Sequence, residues 1–305
     1  MAMTSSAEKR LRFDDQVAIV TGAGRGIGRE YSLYLADRGA AVLVNDLARD
    51  EHGEEQAGPA DEVVQEILKR GGRAVAHVAS VATAEGAASI VSAALSAFGR
   101  IDILINNAGF NRHASFADVS IEDYQSALDV HLLGTVRVTS AAWAELSKRN
   151  GRVVNTVSEG MLGSTALIAY GAAKGAVFGF SQNLALEGAK LGIKVNCISP
   201  RAFTRMSEDS FGPSALGLPK ATIEEFRSTM PASMIAPVMA FLAHSSCPLN
   251  GEVLCTGGGQ VSRLAMVESR GYSQANLTIE DVSDHLDEIL QVSDCVIRGA
   301  SWTPS

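Results

Sequence analysis

The sequence predicts an α/β domain built on one parallel β-sheet with helices on both faces. Short β-branched runs alternate with helical patterns along most of the chain, which is the order expected of a parallel sheet. The strand-like runs VAIV and ILI are apolar throughout, as in strands that are buried on both faces. Gly39 and Gly99 follow helical patterns, at positions where a left-handed residue ends a helix.

The elements can be placed in order. Predicted strands in the first part of the chain lie at 17–20, 41–44, 74–78 and 101–105, separated by helical patterns at 27–38, 61–69 and around 90–98. The second part continues with a helix at 120–147, a strand at 153–156, a helix at 169–190, a strand at 194–198, a helix near 237–243 and a strand at 253–255. We therefore predict a Rossmann-type doubly wound sheet of about seven parallel strands.

Two segments fall outside this alternation. Residues 201–223 contain several Pro, Gly and Ser residues and are long for a connection, which predicts a lid over a binding cleft. The main domain is expected to span 12–262, and 263–305 to form a C-terminal extension. In this extension Thr278 precedes Asp281 by three residues, a spacing that caps a helix. Its apolar positions are Val282, Leu286, Ile289 and Leu290. We expect the extension to dock on the core or on a neighbouring subunit.

Composition excludes several classes of function. The formal net charge of -8 repels a phosphate backbone, which argues against nucleic-acid binding. No apolar run is long enough to span a membrane, and the amino terminus lacks the apolar centre of a secretory signal, so a cytoplasmic location is expected. The cysteines contain no CxxC pair, which argues against a metal site or a disulfide framework. They are Cys197, Cys247, Cys255 and Cys295.

The first strand runs into the sequence TGAGRGIG and then into a helix. Its glycines are Gly22, Gly24, Gly26 and Gly28. Residues without side chains let backbone N–H groups and a helix N-terminus approach a pyrophosphate closely. A glycine-rich turn can also serve only to pack a helix on a strand, but its position after the first strand favours dinucleotide binding.

The cofactor preference depends on two residues. Asp46 follows the second strand, eighteen residues after Gly28, where a carboxylate can accept hydrogen bonds from ribose hydroxyls. Arg25 in the glycine turn favours the 2′-phosphate of NADP instead. A carboxylate about 4 Å from that phosphate costs several kcal/mol in a partly desolvated site. The sequence therefore predicts NAD.

Further motifs complete a recognisable set. The strand ILI ends in Asn106-Asn107-Ala108-Gly109, and Tyr170 precedes Lys174 by four residues on a predicted helix. Together with TGAGRGIG, these features resemble the short-chain dehydrogenase/reductase family over residues 12 to 262. The resemblance implies that Tyr170 is the general acid/base and that Lys174 lowers its pKa and binds the nicotinamide ribose. Such a role suits chemistry at neutral pH, because a nearby ammonium favours the phenolate.

The resemblance also assigns other positions to the cofactor cleft. These are Ile27 in the glycine turn, Ser80 and Val81 after the third strand, Asn107, Ala108 and Gly109 after the fourth, and Pro200 after the sixth. Ala79 departs from the pattern, because many relatives have an Asp there for the adenine amine. Adenine recognition is expected to use Ser80 or backbone groups instead.

Two departures affect the catalytic set. Ser158 lies twelve residues before Tyr170, one residue closer than the family spacing implies. A one-residue deletion relative to the family, between Ser158 and Gly160, accounts for this difference. We assign Ser158 as the serine that polarises the reacting oxygen. His131 replaces the usual Asn, which holds a helix kink and a relay water. It either takes over that role or is purely structural.

The stretches VNDL, SFADVSIEDY and VHLLGTVRVTSAAW resemble the (3R)-hydroxyacyl-CoA dehydrogenase part of multifunctional β-oxidation enzymes, a branch that includes 17β-hydroxysteroid dehydrogenases. This implies NAD-dependent oxidation of a 3-hydroxyacyl-CoA, by a homodimer or homotetramer. Two alternatives stay open: a dehydrogenase of a free alcohol or steroid hydroxyl, and an NAD-binding scaffold or sensor without turnover. Cations that can meet CoA phosphates are Arg112, His113, Arg201, Arg205 and Lys220.

Overall fold

The predicted parallel sheet forms the centre of the protein. The computed structural model describes residues 10–47, 58–204, 206 and 219–298. The strands are β1 (Val17–Thr21), β2 (Ala41–Asp46), β3 (Arg73–Val78), β4 (Ile103–Asn106), β5 (Arg152–Thr156), β6 (Lys194–Pro200), β7 (Val253–Gly257), β8 (Gln260–Leu264), β9 (Met266–Glu268) and β10 (Val296–Arg298). The helices are α1 (Gly26–Asp37), α2 (Pro59–Lys69), α3 (Ala84–Phe98), α4 (Ile121–Ala127), α5 (Gly134–Ser147), α6 (Ile168–Ala189), α7 (Lys220–Thr229), α8 (Ala236–Ala243), α9 (Ile279–Asp284) and α10 (Leu286–Leu290).

The main sheet has the order β3-β2-β1-β4-β5-β6-β7-β8. Strands β1 to β7 are parallel, which confirms the predicted fold, and β8 adds an eighth, antiparallel strand at the edge. Gly258 and Gly259 connect β7 to β8, and both have positive φ angles, of 56° and 78°. Two consecutive left-handed residues are the requirement of a tight hairpin turn. The predicted domain end at residue 262 falls inside this edge strand, and the division at that point stays a prediction.

Each face of the sheet buries its own apolar layer. Helices α1, α2 and α8 cover one face, with Leu35, Ile67 and Leu242 almost fully buried. Helices α3, α5 and the end of α6 cover the other, where Ile90 and Leu146 lie in the core. Since the central strands contact apolar side chains on both sides, their uniform hydrophobicity in the sequence is explained.

The chain reverses its winding direction at β1, which pairs with β2 on one side and β4 on the other. Ligands in open α/β sheets bind at such a switch point, beyond the carboxyl ends of the strands. A buried polar network supports this edge of the sheet: the Asn106 amide donates to Thr139 and Asn155, each at 2.9 Å, and the Asn155 amide donates to Ser181 at 2.9 Å. Asn106 thus braces β4 and β5 behind the site.

The C-terminal extension forms a small unit in which β9 and β10 pair antiparallel. Thr278 caps α9 in a capping box with Asp281, as predicted. The single predicted helix instead breaks at His285 into α9 and α10. The apolar side chains of Val282 and Leu286 are 40% and 49% exposed, so the predicted apolar face does not dock on the core of its own chain.

Candidate active site

The glycine turn between β1 and α1 is packed tightly. Gly22 has a φ of 61°, and a Cβ there would lie 2.7 Å from the Cα of Ala108. A Cβ on Gly28 would lie 2.2 Å from the carbonyl oxygen of Gly22. Gly26 also has a positive φ, of 53°, but among the described residues only Thr204 would lie within 4 Å of a Cβ added there. The glycines therefore have two functions: some allow close backbone packing, and Gly26 leaves open space beside the N-terminus of α1.

Asp46 lies at the end of β2, against this turn. Its Oδ2 accepts a hydrogen bond of 2.7 Å from the Gly24 N–H, and its Oδ1 accepts one of 2.7 Å from the Leu47 N–H. A carboxylate held by two backbone donors is fixed in orientation. Asp46 and Arg25 both line a cavity of about 340 Å³ beside the glycine turn.

Asn107 joins the turn to the end of β4. Its side-chain amide donates to the carbonyl oxygens of Thr21 and Gly22, each at 3.0 Å. The Thr21 hydroxyl accepts hydrogen bonds of 3.1 Å from the N–H groups of Asn107 and Ala108. These contacts fix the carboxyl ends of β1 and β4 side by side, so Asn107 supports the cleft as well as lining it.

A second cavity, of about 640 Å³, lies next to the first. It contains four predicted catalytic residues, which are His131, Ser158, Tyr170 and Lys174, together with Pro200. Both cavities share a set of lining residues: Ile27, Asn107, Gly109, Asn111, Thr204 and Met206. A ligand that begins beside the glycine turn can therefore extend to Tyr170.

Ser158 and Tyr170 are brought together despite the shortened spacing between them. A Cβ on Gly160 would lie 3.4 Å both from the Ser158 Oγ and from the Tyr170 ring, and both side chains line the larger cavity. The Ser158 hydroxyl accepts a hydrogen bond of 3.1 Å from the Gly160 N–H. This contact caps a single 3₁₀ turn, Glu159–Leu162. Ser158 therefore lies beside Tyr170 although their spacing is one residue shorter than the family pattern, and the position of the deletion stays a prediction.

Lys174 lies one helical turn after Tyr170 on α6 and is buried. Its Nζ donates a hydrogen bond of 2.6 Å to the carbonyl oxygen of Thr156, at the end of β5. Burial lowers the pKa of Lys174 to about 8. The ammonium lies 5.7 Å from the centre of the Tyr170 ring, so Lys174 and Tyr170 face the same cavity.

The electrostatics of Tyr170 differ from the expectation in one respect. Burial raises the pKa of the Tyr170 phenol, and the nearby Ser158 hydroxyl lowers it by a smaller amount. Burial also lowers the pKa of Lys174, so the ammonium loses its proton at a lower pH than the phenol does. The lowering of the Tyr170 pKa by Lys174 that the family resemblance implies stays a prediction.

His131 lies in a π-helical stretch, Leu128–Leu133, between α4 and α5. Its Nε2 hydrogen-bonds to the carbonyl oxygen of Phe110 at 2.9 Å, and its Nδ1 is buried without a hydrogen-bond partner among the described residues. The ring meets Tyr170 edge to face at 5.3 Å. Burial, with a smaller effect of the Lys174 charge, lowers the pKa of His131 to about 3. The Phe110 N–H also lies within hydrogen-bond distance of Nε2, at 3.4 Å. In the neutral tautomer with the proton on Nε2, the ring donates to the closer carbonyl oxygen and presents a lone pair on Nδ1.

Some residues assigned to the cofactor cleft do not line either cavity. They are Gly24, Gly28, Ser80, Val81 and Ala108. Val81 is buried against Gly134, where a Cβ would lie 2.8 Å from its side chain, and the Ser80 hydroxyl accepts a hydrogen bond from the Ala82 N–H. Gly24 and Gly28 are packed inside the glycine turn itself, and Ala108 supports the turn through its N–H, which donates to the Thr21 hydroxyl.

Two of the five cations considered for CoA phosphates form ion pairs with carboxylates of the protein. Arg112 pairs with Asp123, and Arg201 pairs with Glu159. Arg205 and the side chain of Lys220 lie outside the described residues, as does most of the predicted lid at 201–223. His113 lines the larger cavity. The paired arginines do not support the predicted role in phosphate binding.

Several lining residues were not predicted from the sequence. Asn111, Thr156, Leu167, Phe203, Phe226 and Met230 all line the larger cavity. They come from the end of β5, from several loops and from α7, and no motif connects them. Asn111 and Thr156 each carry a buried side-chain oxygen that has no hydrogen-bond partner in the described part of the chain. Such unpaired buried atoms in a cavity are a signal of ligand binding, but it exists only in three dimensions.

Within the ranges that the structure describes, no three His, Cys, Asp or Glu side chains are grouped closely enough to hold a metal ion. The same ranges contain no helix that is both long and apolar enough to cross a lipid bilayer.

The fold and the site together define the class of protein. A glycine turn lies at the switch point of a parallel sheet, and the cavity next to it contains a Ser, a Tyr and a buried Lys. This arrangement is typical of oxidoreductases that bind a dinucleotide.

Comparison with known proteins identifies the family. A family model described as short chain dehydrogenase matches residues 16–211, and the chain belongs to that family of oxidoreductases. It is 43% identical over 293 residues to a protein of Mycobacterium tuberculosis named as a short-chain type dehydrogenase/reductase, covering 93% of this chain and 97% of that one. It is 39% identical over 304 residues to the peroxisomal multifunctional enzyme type 2 of Drosophila melanogaster, covering 97% of this chain and 48% of that one.

Solved structures agree with this assignment. A crystal structure of a short chain dehydrogenase from Mycobacterium avium has a TM-score of 0.75 and 30% identity, covering 91% of this chain and 95% of that one. The full-length Drosophila enzyme has a TM-score of 0.76 and 34% identity, covering 95% of this chain and 48% of that one. The chain thus spans about half the length of the multifunctional relative.

Proposed function

We propose that this protein is an NAD-dependent dehydrogenase that interconverts a secondary alcohol and a ketone, with a 3-hydroxyacyl-CoA as its substrate. The observation that carries the proposal is the convergence of Ser158, Tyr170 and Lys174 on one cavity that adjoins the glycine turn. Asn107 and Gly109 line both cavities, so the cofactor and substrate regions are continuous.

The residues present fit a dinucleotide. Gly26 leaves its side-chain space open beside the start of α1, where N–H groups and the helix dipole favour a pyrophosphate. Asp46 is oriented at the far end of the smaller cavity, suited to ribose hydroxyls. Buried unpaired atoms on Asn111 and Thr156 offer polar contacts nearer Tyr170. A bound nicotinamide supplies the hydride acceptor for alcohol oxidation.

Residues of the protein transfer the proton of the substrate alcohol. As the phenolate, Tyr170 accepts the proton of the substrate alcohol during oxidation, and as the neutral phenol it donates a proton to the ketone oxygen during reduction. The Ser158 hydroxyl donates its hydrogen bond to the reacting oxygen of the bound substrate, next to Tyr170 in the larger cavity. Lys174, held by the Thr156 carbonyl, is positioned to bind ribose hydroxyls and to bring a positive charge to the site.

The substrate assignment is supported by the lining of the larger cavity. Beyond Ser158 and Tyr170 the walls are largely apolar, with Leu167, Phe203 and Phe226 among them, which suits an acyl chain or a fused ring. The assignment of a thioester as the substrate is based on the similarity to multifunctional β-oxidation enzymes. The experiment must therefore distinguish a thioester substrate from a free alcohol or a steroid.

Preference for NAD over NADP rests on Asp46, because its carboxylate lines the smaller cavity and would repel a 2′-phosphate. We further propose a homodimer or homotetramer. Exposed apolar side chains at Leu133 and Ile168, on the segments that carry His131 and Tyr170, support this. The cytoplasmic location stays a prediction from the sequence.

The test is a substrate panel with purified protein. NADH formation is followed with 3-hydroxyacyl-CoA thioesters of several chain lengths, the matching free acids, secondary alcohols and a hydroxysteroid. Thioesters are expected to react, and Tyr170→Phe is expected to lower kcat about 10²- to 10⁴-fold, since it removes the general acid/base. Tyr34→Phe is the matched control, because Tyr34 lies on α1 and contacts Arg38.

Three results would contradict parts of the proposal. Turnover of a free alcohol or steroid without turnover of any thioester removes the acyl-CoA assignment. NAD binding in calorimetry without turnover of any compound favours a scaffold or sensor. Wild-type turnover by Tyr170→Phe removes the assignment of the general acid/base.

A further inference from the structure

A bidentate ion pair joins two loops at the wall of the larger cavity. The Arg201 guanidinium donates from Nε to Oε2 of Glu159 at 2.5 Å and from Nη2 to Oε1 at 2.7 Å. Glu159 directly follows Ser158, after β5, and Arg201 directly follows Pro200, at the end of β6. Fork-to-fork pairs of this kind fix geometry as well as adding energy.

The arginine end of this pair is anchored to the sheet. The Arg201 N–H donates a hydrogen bond of 2.7 Å to the carbonyl oxygen of Thr256, in β7. A Cβ on Gly257 would lie 2.2 Å from the carbonyl oxygen of Arg201 and 2.5 Å from its Cβ. Because its backbone is held this closely, Arg201 presents its guanidinium from a rigid base.

The glutamate end belongs to a short turn that lies next to the Ser158 hydroxyl and the Tyr170 ring. Glu159–Leu162 is a single 3₁₀ turn, a structure with little stability of its own. A Cβ on Gly160 would lie 3.4 Å from the Ser158 Oγ and 3.4 Å from the Tyr170 ring. A shift of this turn therefore moves the Ser158 hydroxyl relative to Tyr170.

We propose that the Glu159–Arg201 ion pair is a positioning device that holds the Ser158 hydroxyl in line with Tyr170 by tying its turn to the β6 and β7 strand ends. The inference rests on the proposed function, since it concerns the same site. The Arg201 charge is neutralised by Glu159, so Arg201 serves the protein's geometry and does not bind an anionic substrate group.

The charges keep the pair intact over the working pH range. The hydrogen bond and charge of Arg201 lower the pKa of Glu159, against a smaller opposing effect of burial. The two side chains are 39% and 40% exposed, so salt screens their attraction in part. The device is thus stable at neutral pH and sensitive to ionic strength.

The experiment uses Glu159→Gln, Arg201→Gln and the charge-swapped double variant E159R/R201E, each in wild-type and Ser158→Ala backgrounds. Since misplacing a catalytic group is costly, Glu159→Gln and Arg201→Gln are expected to lower kcat roughly tenfold, with NAD affinity unchanged. In the Ser158→Ala background, where no hydroxyl is left to position, the further loss is expected to be under about twofold. The charge swap is expected to recover part of kcat. Glu187→Gln is the control, because Glu187 pairs with Lys190 on the exposed face of α6.

The pH profile gives a second measurement. Moving the Ser158 hydroxyl away from Tyr170 removes an effect that lowers the pKa of Tyr170, so alcohol oxidation by Glu159→Gln is expected to rise at higher pH than in the wild type. High salt should move the wild-type profile in the same direction. Thermal unfolding of each variant shows whether the fold is retained, and Arg201→Lys provides a milder variant if Arg201→Gln does not fold.

Each outcome decides the matter. An equal loss in both backgrounds with an unmoved pH profile overturns the positioning role, as does an increase in KM alone for anionic but not neutral substrates, which would make Arg201 a substrate ligand. If Tyr170→Phe keeps wild-type turnover, the proposed function fails. If Tyr170→Phe loses activity while Glu159→Gln and Arg201→Gln do not, only this inference fails.

Discussion

The cofactor side and the substrate side of the cleft are built in different ways. On the cofactor side, the glycine turn, Asp46 and Asn107 are held almost entirely by backbone contacts within a short stretch of β1, β2 and β4. On the substrate side, the walls come from loops after β4, β5 and β6 and from α7. Few residue types fit at each position of the cofactor side, whereas many residue types fit at the positions of the substrate side.

This difference has a physical origin. A position where a Cβ would overlap backbone atoms accepts only glycine, so the requirement is visible in the sequence. A position in an apolar cavity wall needs only the right volume, and Phe, Met or Leu meet it equally. The cofactor side should therefore be intolerant of single changes, and the substrate side should respond mainly at its few polar groups.

The largest effect is expected for Gly28→Ala. The new Cβ would lie 2.2 Å from the Gly22 carbonyl oxygen, so the variant should lose about 3 kcal/mol of stability by overpacking and also lose NAD binding. Gly71→Ala is the matched control, because Gly71 has a φ of 80° and no described atom would lie within 4 Å of its Cβ, and only backbone strain of roughly 1 kcal/mol is expected. Denaturant unfolding compares the two. Equal losses of unfolding free energy in the two variants would show that close packing does not make Gly28 more sensitive than Gly71.

The same contrast explains how much of the structure could be predicted from the sequence. The seven parallel strands were predicted because short apolar runs alternate with helical patterns, and the glycine turn was predicted because it directly follows the first strand. The edge strand β8 was not predicted, because its signal is three consecutive glycines before a short polar strand. Ser158 was assigned although it lies one residue closer to Tyr170 than the family pattern implies. Its position beside Tyr170 depends on the path of the loop between them, which the sequence does not define. Asn111 and Phe226 were not predicted, because only the folded chain brings them to one cavity.

On the substrate side, Ser158→Ala is expected to lower kcat about 10²-fold, since it removes a donor to the reacting oxygen. Ser164→Ala is the control: Ser164 lines the same cavity but is exposed, and its loss should change kcat by less than about twofold. Steady-state rates with saturating NAD measure both. Wild-type turnover by Ser158→Ala would show that Ser164 or a backbone group takes the role.

His131 lies where the two sides meet, and it predicts a pH effect on stability. Its folded pKa of about 3 is below the ordinary value, so the folded state resists protonation while the unfolded chain accepts it. Stability is therefore full above the unfolded histidine pKa of about 6.5 and is lost as the pH falls towards the folded value. Between about pH 7.5 and pH 5 the wild type should lose about 2 kcal/mol more than His131→Asn. Urea unfolding at both pH values measures this, and parallel losses in the two proteins would contradict it.

The smallest expected effect concerns Asp46, where the cofactor side makes a choice by charge and not by packing. The wild type should prefer NAD over NADP by at least about tenfold in kcat/KM, because the carboxylate repels a 2′-phosphate. Asp46→Asn keeps an oxygen that can accept the Gly24 N–H but removes the charge, so NADP should gain about tenfold while NAD changes less. Arg25→Ala is the companion variant, since it removes the cation that favours NADP. Equal efficiency of the wild type with both cofactors would remove Asp46 as the determinant, and the cofactor side would then select its ligand by shape alone.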